Sequence, residues 1–376
     1  MVRRLLDHLR CPACGEPLEL QVLDGAGPDE QIDVGLLRCP AGHCYPIVRG
    51  VPRLLPDALA RHAGELEAAA RSAGPDARAA LEHATRGAAG THHPVDHRTR
   101  ESFSLQWAHH EPGDATWGMG VDHRVQEYFV GPLRVGQGLE GKVLLDAGCG
   151  NGSQSVAYTE LGLEVIAMDL SAGLEHGQAA RHSRPGARPD RVHFVQGDLR
   201  APPLAPASVD IIHSAGVLHH TPDTYETFRR LEPLLKPDGV FYVWLYKHEP
   251  LVTPVVDAIR AGTTALSPKA CARLAAALAP AFQVFCATTD RLGVRSYPRM
   301  SRREAALALM DIFAAPHAHP HTVPEVFGWY RQAGFGEMWA CNESRRGFGV
   351  CGVRTADPGQ VPAMTAATRA AGSGPT

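Results

Sequence analysis

The stretch LLDAGCGNGSQ (144–154) carries an apolar run into an acid and then breaks into glycines at alternate positions. A loop that cradles a dinucleotide pyrophosphate spaces its glycines G-x-G-x-x-G. Here Gly148, Gly150 and Gly152 stand at every second residue, with Asp146 two positions ahead of the first. That compressed form suits a ligand bearing an ammonium and a carboxylate. Asp146 places negative charge near the amino group and orders the loop, the glycines let the backbone come close, and the helix start beyond favours the carboxylate.

A second constellation lies near the amino terminus, in CPAC (Cys11, Cys14) and CPAGHC (Cys39, His43, Cys44). Zinc takes four thiolate or imidazole ligands in a tetrahedron, and a two-residue spacing puts both thiolates on one ion. Cys11, Cys14, Cys39 and His43 form one such set, and Cys44 in place of His43 forms another. The bland reading is buried free cysteines. Four protein ligands leave no open position, so the metal would be structural, in a segment too small to fold on its own core.

Histidines supply the third set. His219 and His220, in GVLHHTPD, fall just past an apolar strand, where either one could serve as a general base. A purely positioning or structural role is the alternative. Further on, MDIFAAPHAHPHT offers Asp311, His317, His319 and His321, read as a solvated loop, a polar substrate site or a metal site. Tyr246 and Lys247 face the same mouth if the strand register is right.

These residues need a scaffold. The chain has 376 residues, 44% hydrophobic and 20% charged, with a net charge of −3, so no global basic field gathers nucleic acid. No uninterrupted apolar run reaches the ~18 residues of a membrane span, and the first residues lack a secretory apolar core. No membrane partner is expected. The cysteines are read as reduced, in a cytoplasmic protein. Residues 1–56 hold the cysteine set. Residues 57–100, rich in Ala, Arg, Gly and His, read as a helical or partly disordered linker. From 101 to 354, short apolar strands (KVLLDA, EVIAMD, VHFVQGD, VDIIHSAG, GVFYVWLY) alternate with helical patterns, which implies a parallel sheet covered on both faces. The alternation pauses over 247–321, where only helix-like runs occur and a cap is expected. Residues 355–376 read as a disordered tail.

Residues 141–246 resemble class I S-adenosylmethionine-dependent methyltransferases of the broad ubiquinone-type group. The resemblance rests on VLLDAGCGNG, VIAMDLS, FVQGDL, VDIIHSAGVLHHTPD and LLKPDGVFYV, in that order. It implies an α/β fold with a Rossmann-like, seven-stranded, mostly parallel sheet. It also implies site roles: Asp169 with Leu170 at the ribose, Asp198 with Leu199 at the adenine, and Ser214 to Val217 along the cofactor's edge through the backbone. The segment ESFSLQWAHH resembles one found ahead of the glycine loop in zinc-ribbon members of the superfamily, which makes Phe103, Gln106 and Trp107 candidates for a lid; an amphipathic helix with Trp107 in the core is the alternative. LLDHLRCPACGEPLEL, LLRCPAGHCYPI and GVPRLL resemble the zinc-ribbon activator subunit of tRNA and translation-factor methyltransferases. The second half also looks like the ribbon of rRNA guanine methyltransferases, whose pattern makes Cys11, Cys14, Cys39 and His43 the ligands.

The expected function is methyl transfer from S-adenosylmethionine to a small molecule of specialised or envelope metabolism. The first rival is an RNA methyltransferase that grips its substrate through Arg3, Arg4, Arg10, Arg38, Arg49 and Arg53. The second is a non-catalytic activator. No Asn-Pro-Pro-Tyr-like tetrapeptide follows the fourth strand, so amino methylation of DNA bases or glutamine amides is not supported. The sequence assigns no oligomeric state.

Overall fold

The computed structural model describes residues 1–24, 31–86, 95–108, 110, 113–134, 138–250, 253–292, 300–344 and 346–355. It begins with a four-stranded antiparallel sheet, β1 (Glu19–Asp24), β2 (Val34–Arg38), β3 (Cys44–Val48) and β4 (Val51–Pro52), ordered as numbered. Every residue of β3 is buried, because the strand lies between two layers. Tyr45 and Ile47 face the body of the protein. Cys44 and Val48, on the opposite parity, face the helices that follow.

Those helices are α1 (Ala58–Arg61), α2 (Ala63–Ala73) and α3 (Pro75–Arg86). The described part of the 57–100 linker is helical, one of the two states expected of it, and it packs. Leu66, Ala69 and Ala70 of α2 and Ala77, Leu81 and Ala84 of α3 bury a seam against Leu23, Leu36, Cys44 and Val48. Alanine supplies little area per residue, but it lets helix and sheet approach closely, so a stretch poor in large apolar residues still packs. The tail from residue 356 lies outside the described residues.

Helix α4 (His97–Trp107) is capped by Asp96, whose carboxylate accepts from Thr99 N at 2.9 Å. After α5 (Val121–Val125) and α6 (Gly131–Leu133), strand and helix alternate through β5 (Val143–Ala147), α7 (Ser153–Tyr158), β6 (Glu164–Asp169), α8 (Leu174–Ala180), β7 (Val192–Gln196), β8 (Val209–Ala215), α9 (Thr224–Leu231) and β9 (Leu235–Tyr246). The cap follows as α10 (Thr253–Thr263), α11 (Pro268–Arg291) and α12 (Arg302–Phe313). The chain closes with α13 (Val323–Gln332), β10 (Phe335–Cys341) and β11 (Gly347–Arg354).

The large sheet has seven strands in the order β10-β11-β9-β8-β5-β6-β7. Strands β5 to β9 pair in parallel, and β11 runs against its neighbours. The seven-stranded, mostly parallel α/β fold expected from the sequence is present. From β5 the order runs one way to β7 and the other way to β9. The carboxyl ends of β5 and β8 therefore part at a switch point, the usual ligand crevice of an open α/β sheet. The cap leaves at Lys247 and returns at His321, and these two residues pair in a parallel bridge. Among the described residues, α11 is the helix long and apolar enough, by length and composition, to cross a membrane.

The small sheet docks on the large one through backbone pairing. Leu9 bridges Leu204, with Arg10 N donating to Pro203 O (2.9 Å) and Ala205 N to His8 O (2.8 Å). At the edge of β7, Leu54 N donates to Gln196 O at 2.8 Å.

Candidate functional site

The glycine loop turns directly off β5. Gly148 has φ +88°, and a Cβ built there would lie 2.4 Å from the Val217 side chain. A Cβ at Gly150 (φ +59°) would come within 2.8 Å of the Trp107 indole. Only glycine meets both demands of conformation and approach. Gly150 and Gly152 form the back of the loop, while Gly148 belongs to the wall of a cavity of about 880 Å³ at the switch point.

Asp146 is buried, and its carboxylate accepts from Ser155 Oγ (2.6 Å) and meets His213 Nδ1 (3.3 Å). It thereby ties the loop to the start of α7 and to β8. His213, whose Nε2 donates to Tyr128 O at 3.1 Å, was not singled out in the sequence. Asp169 ends β6, and its two oxygens accept from Gly150 N and Ser171 N, each at 2.8 Å. Burial pushes its pKa above the ordinary carboxylate value, against the pull of those bonds. Leu170 and Leu199 also line the cavity.

Two side chains have partners the sequence did not suggest. Asp198 lines the cavity, but Arg200 folds over it in an ion pair (Nη2–Oδ2 2.6 Å) that two-residue spacing gave no reason to expect. Ser214 is turned away. Its hydroxyl donates to Ala147 O (3.0 Å) inside the sheet, and the wall is made by Ala215, Gly216 and Val217 instead. Side chains alternate along a strand, so the residue before the wall must point behind it. Phe103, Gln106 and Trp107 all reach the cavity from α4.

Beyond the loop, the histidines separate. His219 is fully buried, has no hydrogen-bond partner at either nitrogen, and stacks on Tyr246 with ring centroids 3.9 Å apart. Burial holds its pKa far below 6.5, so it stays neutral. It does not line the cavity; His220 does. His220 Nδ1 donates to His317 O (2.8 Å), and Nε2 faces Asp311 Oδ1 (3.2 Å). The Tyr246 hydroxyl donates to the other Asp311 oxygen. Burial alone would raise the Asp311 pKa, but His220, the Tyr246 hydroxyl and Arg260 together outweigh it and hold the carboxyl below its ordinary value.

Of the cap cluster, only Asp311 lines the cavity. His317 meets Asp96 (Nε2–Oδ2 3.1 Å) and His321 meets Glu325 (Nδ1–Oε1 2.9 Å). His319 N donates to His219 O at 2.9 Å, and His321 N to Tyr246 O at 2.8 Å, so this segment stitches the cap to the ends of β8 and β9. A metal at these histidines is not supported, because the only His, Cys or carboxylate group of metal-binding geometry among the described residues lies elsewhere. Lys247 pairs with Glu343 (2.6 Å) outside the cavity wall.

That group is Cys11, Cys14, Cys39 and His43, whose ligand atoms all lie within 4.8 Å of one another. Cys14 and Cys39 sulfurs are 3.7 Å apart, and His43 Nδ1 lies 3.2 Å from Cys39 and 3.5 Å from Cys11. A tetrahedron with ordinary zinc bond lengths spaces two sulfurs by about 3.8 Å and sulfur from nitrogen by about 3.6 Å. The donor set therefore fits such an ion. Cys44 is excluded by its direction, since it faces the helix seam.

Of the six candidate arginines Arg3 is exposed, and the other five are engaged within the protein. Arg53 is buried against Glu175, and Arg49 pairs with Glu65 and Glu175. Arg4 pairs with Glu164, while Arg10 and Arg38 donate to backbone carbonyls.

Comparison with known proteins gives this geometry its context. A family model described as a methyltransferase domain matches residues 145–243. A Micromonospora griseorubida protein named "Putative 23S rRNA (guanine-N(1)-)-methyltransferase" is 30% identical over 76% of this chain and 81% of its own. The malonyl-[acyl-carrier protein] O-methyltransferase of Enterobacter lignolyticus is 36% identical over 26% of this chain and 36% of its own. The ubiquinone biosynthesis O-methyltransferase of Xanthomonas campestris pv. campestris is 35% identical over 28% and 43%. This chain thus spans under half the length of the last two. The solved magnesium protoporphyrin IX methyltransferase of Synechocystis PCC 6803 is 16% identical, covering 62% of this chain and 82% of that one at a TM-score of 0.37, a likeness too slight to bear on function. With the glycine loop, the strand-end acid and the switch-point cavity on one sheet, and a relative matched over most of its length, the chain belongs to the class I S-adenosylmethionine-dependent methyltransferases.

Proposed function

We propose that this enzyme methylates a small molecule held between the α4 segment and the cap. The observation that carries the reading is the enclosure of the cavity. Phe103 and Trp107 of α4, Asp311 of α12, and Tyr128, Trp244 and Tyr246 all line it, and Phe103 and Asp311 meet through His220. A chamber that sets aromatic rings beside charged side chains such as Arg124 and Asp311 suits a compact, polar acceptor. When bound, S-adenosylmethionine supplies an electrophilic methyl group. The glycine loop, Asp146, Asp169 and Asp198 are the residues that would hold it.

His220 and Asp311 form the polar end of the chamber. His220 Nδ1 donates to His317 O, and its Nε2 faces the Asp311 carboxylate. The Asp311 carboxylate, held by His220 and the Tyr246 hydroxyl and kept below its ordinary pKa, can accept the proton of an acceptor hydroxyl, which favours one that ionises readily, such as a phenol. Asp311→Asn is expected to lower kcat about a hundredfold, at the low end for such groups, with S-adenosylmethionine affinity changed less than twofold. An unaltered kcat would remove the pair from the mechanism.

A second reading, methylation of RNA, is favoured by the rRNA methyltransferase name of the relative matched over most of its length. The pairing and burial of the candidate arginines other than Arg3 speaks against it. Transfer of labelled methyl groups into cell extract separated into RNA, protein and small-molecule fractions decides. Label is expected in the small-molecule fraction, and label confined to RNA would overturn the first reading.

We also infer that the Cys3His set holds one structural zinc, in a ribbon of the activator-subunit kind. Elemental analysis is expected to find about one zinc per chain, lost in Cys14→Ser/Cys39→Ser together with several degrees of thermal stability. Metal-free, folded wild-type protein would refute the assignment.

A further inference from the structure

Every large hydrophobic side chain that stands exposed among the described residues lies in the cap, between Val255 and Leu292, with Val284 67% and Leu292 70% exposed. Helix α11 concentrates them. Its seam of Cys271, Ala275 and Ala279 packs against Leu309, Met310 and Phe313 of α12 and Leu105 of α4. The face opposite is Ala276, Ala277, Pro280, Ala281, Val284, Ala287 and Thr288, all exposed, with the exposed Leu278 and Phe285 along the edge beyond Ala281. Between Arg273 and Asp290 no charged residue occurs. That is about 24 Å of helix without charge, far from the scattered single residues of an ordinary surface.

Charge sits on this face in a particular way. At about 100° per residue, Lys269 and Arg273 at one end and Arg291 at the other lie within roughly 40° of the line through Pro280 and Val284. All three cations are exposed. The nearest acid on the helix, Asp290, lies about 100° around the axis from Arg273 and lines the cavity.

We propose that α11 is a docking face for an anionic lipid surface, lying in the plane of the headgroups with its apolar side immersed. The helix does not span the bilayer, because its other side belongs to the protein core. A second copy of the chain fits poorly. Antiparallel two-fold pairing sets Arg291 against Arg273 and Lys269 of the mate, and parallel pairing sets each cation on itself, with no acid on the face to compensate. Anionic headgroups complement the cations, while the apolar stretch enters the acyl boundary. Asp290 and Asp311 line the cavity from α11 and α12, so docking sets one wall of the cavity beside the lipid. The inference goes beyond the small-molecule reading and stands whichever acceptor is used. It replaces the sequence-based expectation of no membrane contact, which looked only for an uninterrupted apolar run.

The test is co-sedimentation of the full chain with vesicles of phosphatidylcholine containing 30 mol% phosphatidylglycerol, and with phosphatidylcholine alone. Binding is expected on the anionic vesicles and at least twentyfold weaker on the neutral ones, about the effect of two cations at such a surface. R273Q/R291Q should weaken it about twentyfold by the same measure. A277E/V284E should weaken it at least tenfold, with S-adenosylmethionine affinity and circular dichroism unchanged to show that the fold is kept. Absence of wild-type binding overturns the proposal, and so does undiminished binding by A277E/V284E. A dimer in sedimentation velocity that A277E/V284E dissolves, without vesicle binding, assigns the face to a second copy and equally overturns it.

Discussion

Asp169→Ala is expected to weaken S-adenosylmethionine binding by about a hundredfold or more, measured by titration calorimetry. Two losses combine. The carboxylate ends β6 at the switch point, where it can accept from a pair of ribose hydroxyls, and each charge-assisted bond contributes roughly 1.5–3 kcal/mol. It also joins Gly150 N to Ser171 N across the mouth of the crevice, so its removal leaves two loops untied. Asp169→Asn separates the effects. The amide keeps one backbone bond but turns an N–H toward the other donor, and the affinity should recover only in small part. Because burial raises the Asp169 pKa, wild-type affinity should begin to fall at a higher pH on acidification than an ordinary carboxylate would allow. Thermal unfolding near the wild-type temperature would confirm that the fold survives. Unchanged affinity in the alanine variant would sink the ribose assignment.

Asp169 was legible in the sequence because its signal is local. An apolar strand that ends in an acid after a glycine-rich turn encodes strand, turn and ligand contact within one βαβ unit. The same locality exposed the five parallel strands, whose apolar runs are bounded by Gly and Pro, while the count of seven came from the family resemblance. What escaped was what depends on direction or distance. Ser214 fell inside a motif yet points into the sheet, since a one-residue step reverses a side chain. His219 and His220 look equivalent on paper, but a short turn carries one into the core and the other to the cavity, where Asp311 arrives from a helix 91 positions later. The cap histidines drew attention by composition, while their structural work is done by backbone atoms that any residue supplies. Packing by alanine in α2, α3 and α11 escaped too, because composition alone does not show which side of an alanine-rich helix is covered.

Arg53→Ala is expected to cost about 3 kcal/mol of stability and, unlike an ordinary surface change, to weaken cofactor binding as well. The side chain is 1% exposed at the junction of the two sheets. Its Nη2 meets Glu175 Oε1 at 2.9 Å, and Nη1 donates to Gln196 Oε1 at 3.2 Å. Burial lowers the Arg53 pKa and Glu175 opposes that shift, but an arginine remains charged throughout. Removing one partner of a buried pair costs roughly 3–5 kcal/mol, and the lower end applies because Glu175 is partly exposed. The consequence for binding runs through Gln196. With its oxygen fixed by Arg53, its amide nitrogen donates to Leu170 O (3.1 Å) and Ser171 O (3.4 Å), on the loop that follows Asp169. Loss of the guanidinium frees that amide to turn, so S-adenosylmethionine affinity should fall by about three- to tenfold, the effect of roughly one weakened hydrogen bond. Arg53→Lys tests the route, since an ammonium can keep Glu175 but cannot fork to Gln196. Recovered stability with affinity still reduced would show that the amino-terminal sheet supports the cofactor loop through this one amide. Lost stability with full affinity in both variants would confine Arg53 to holding the two sheets together.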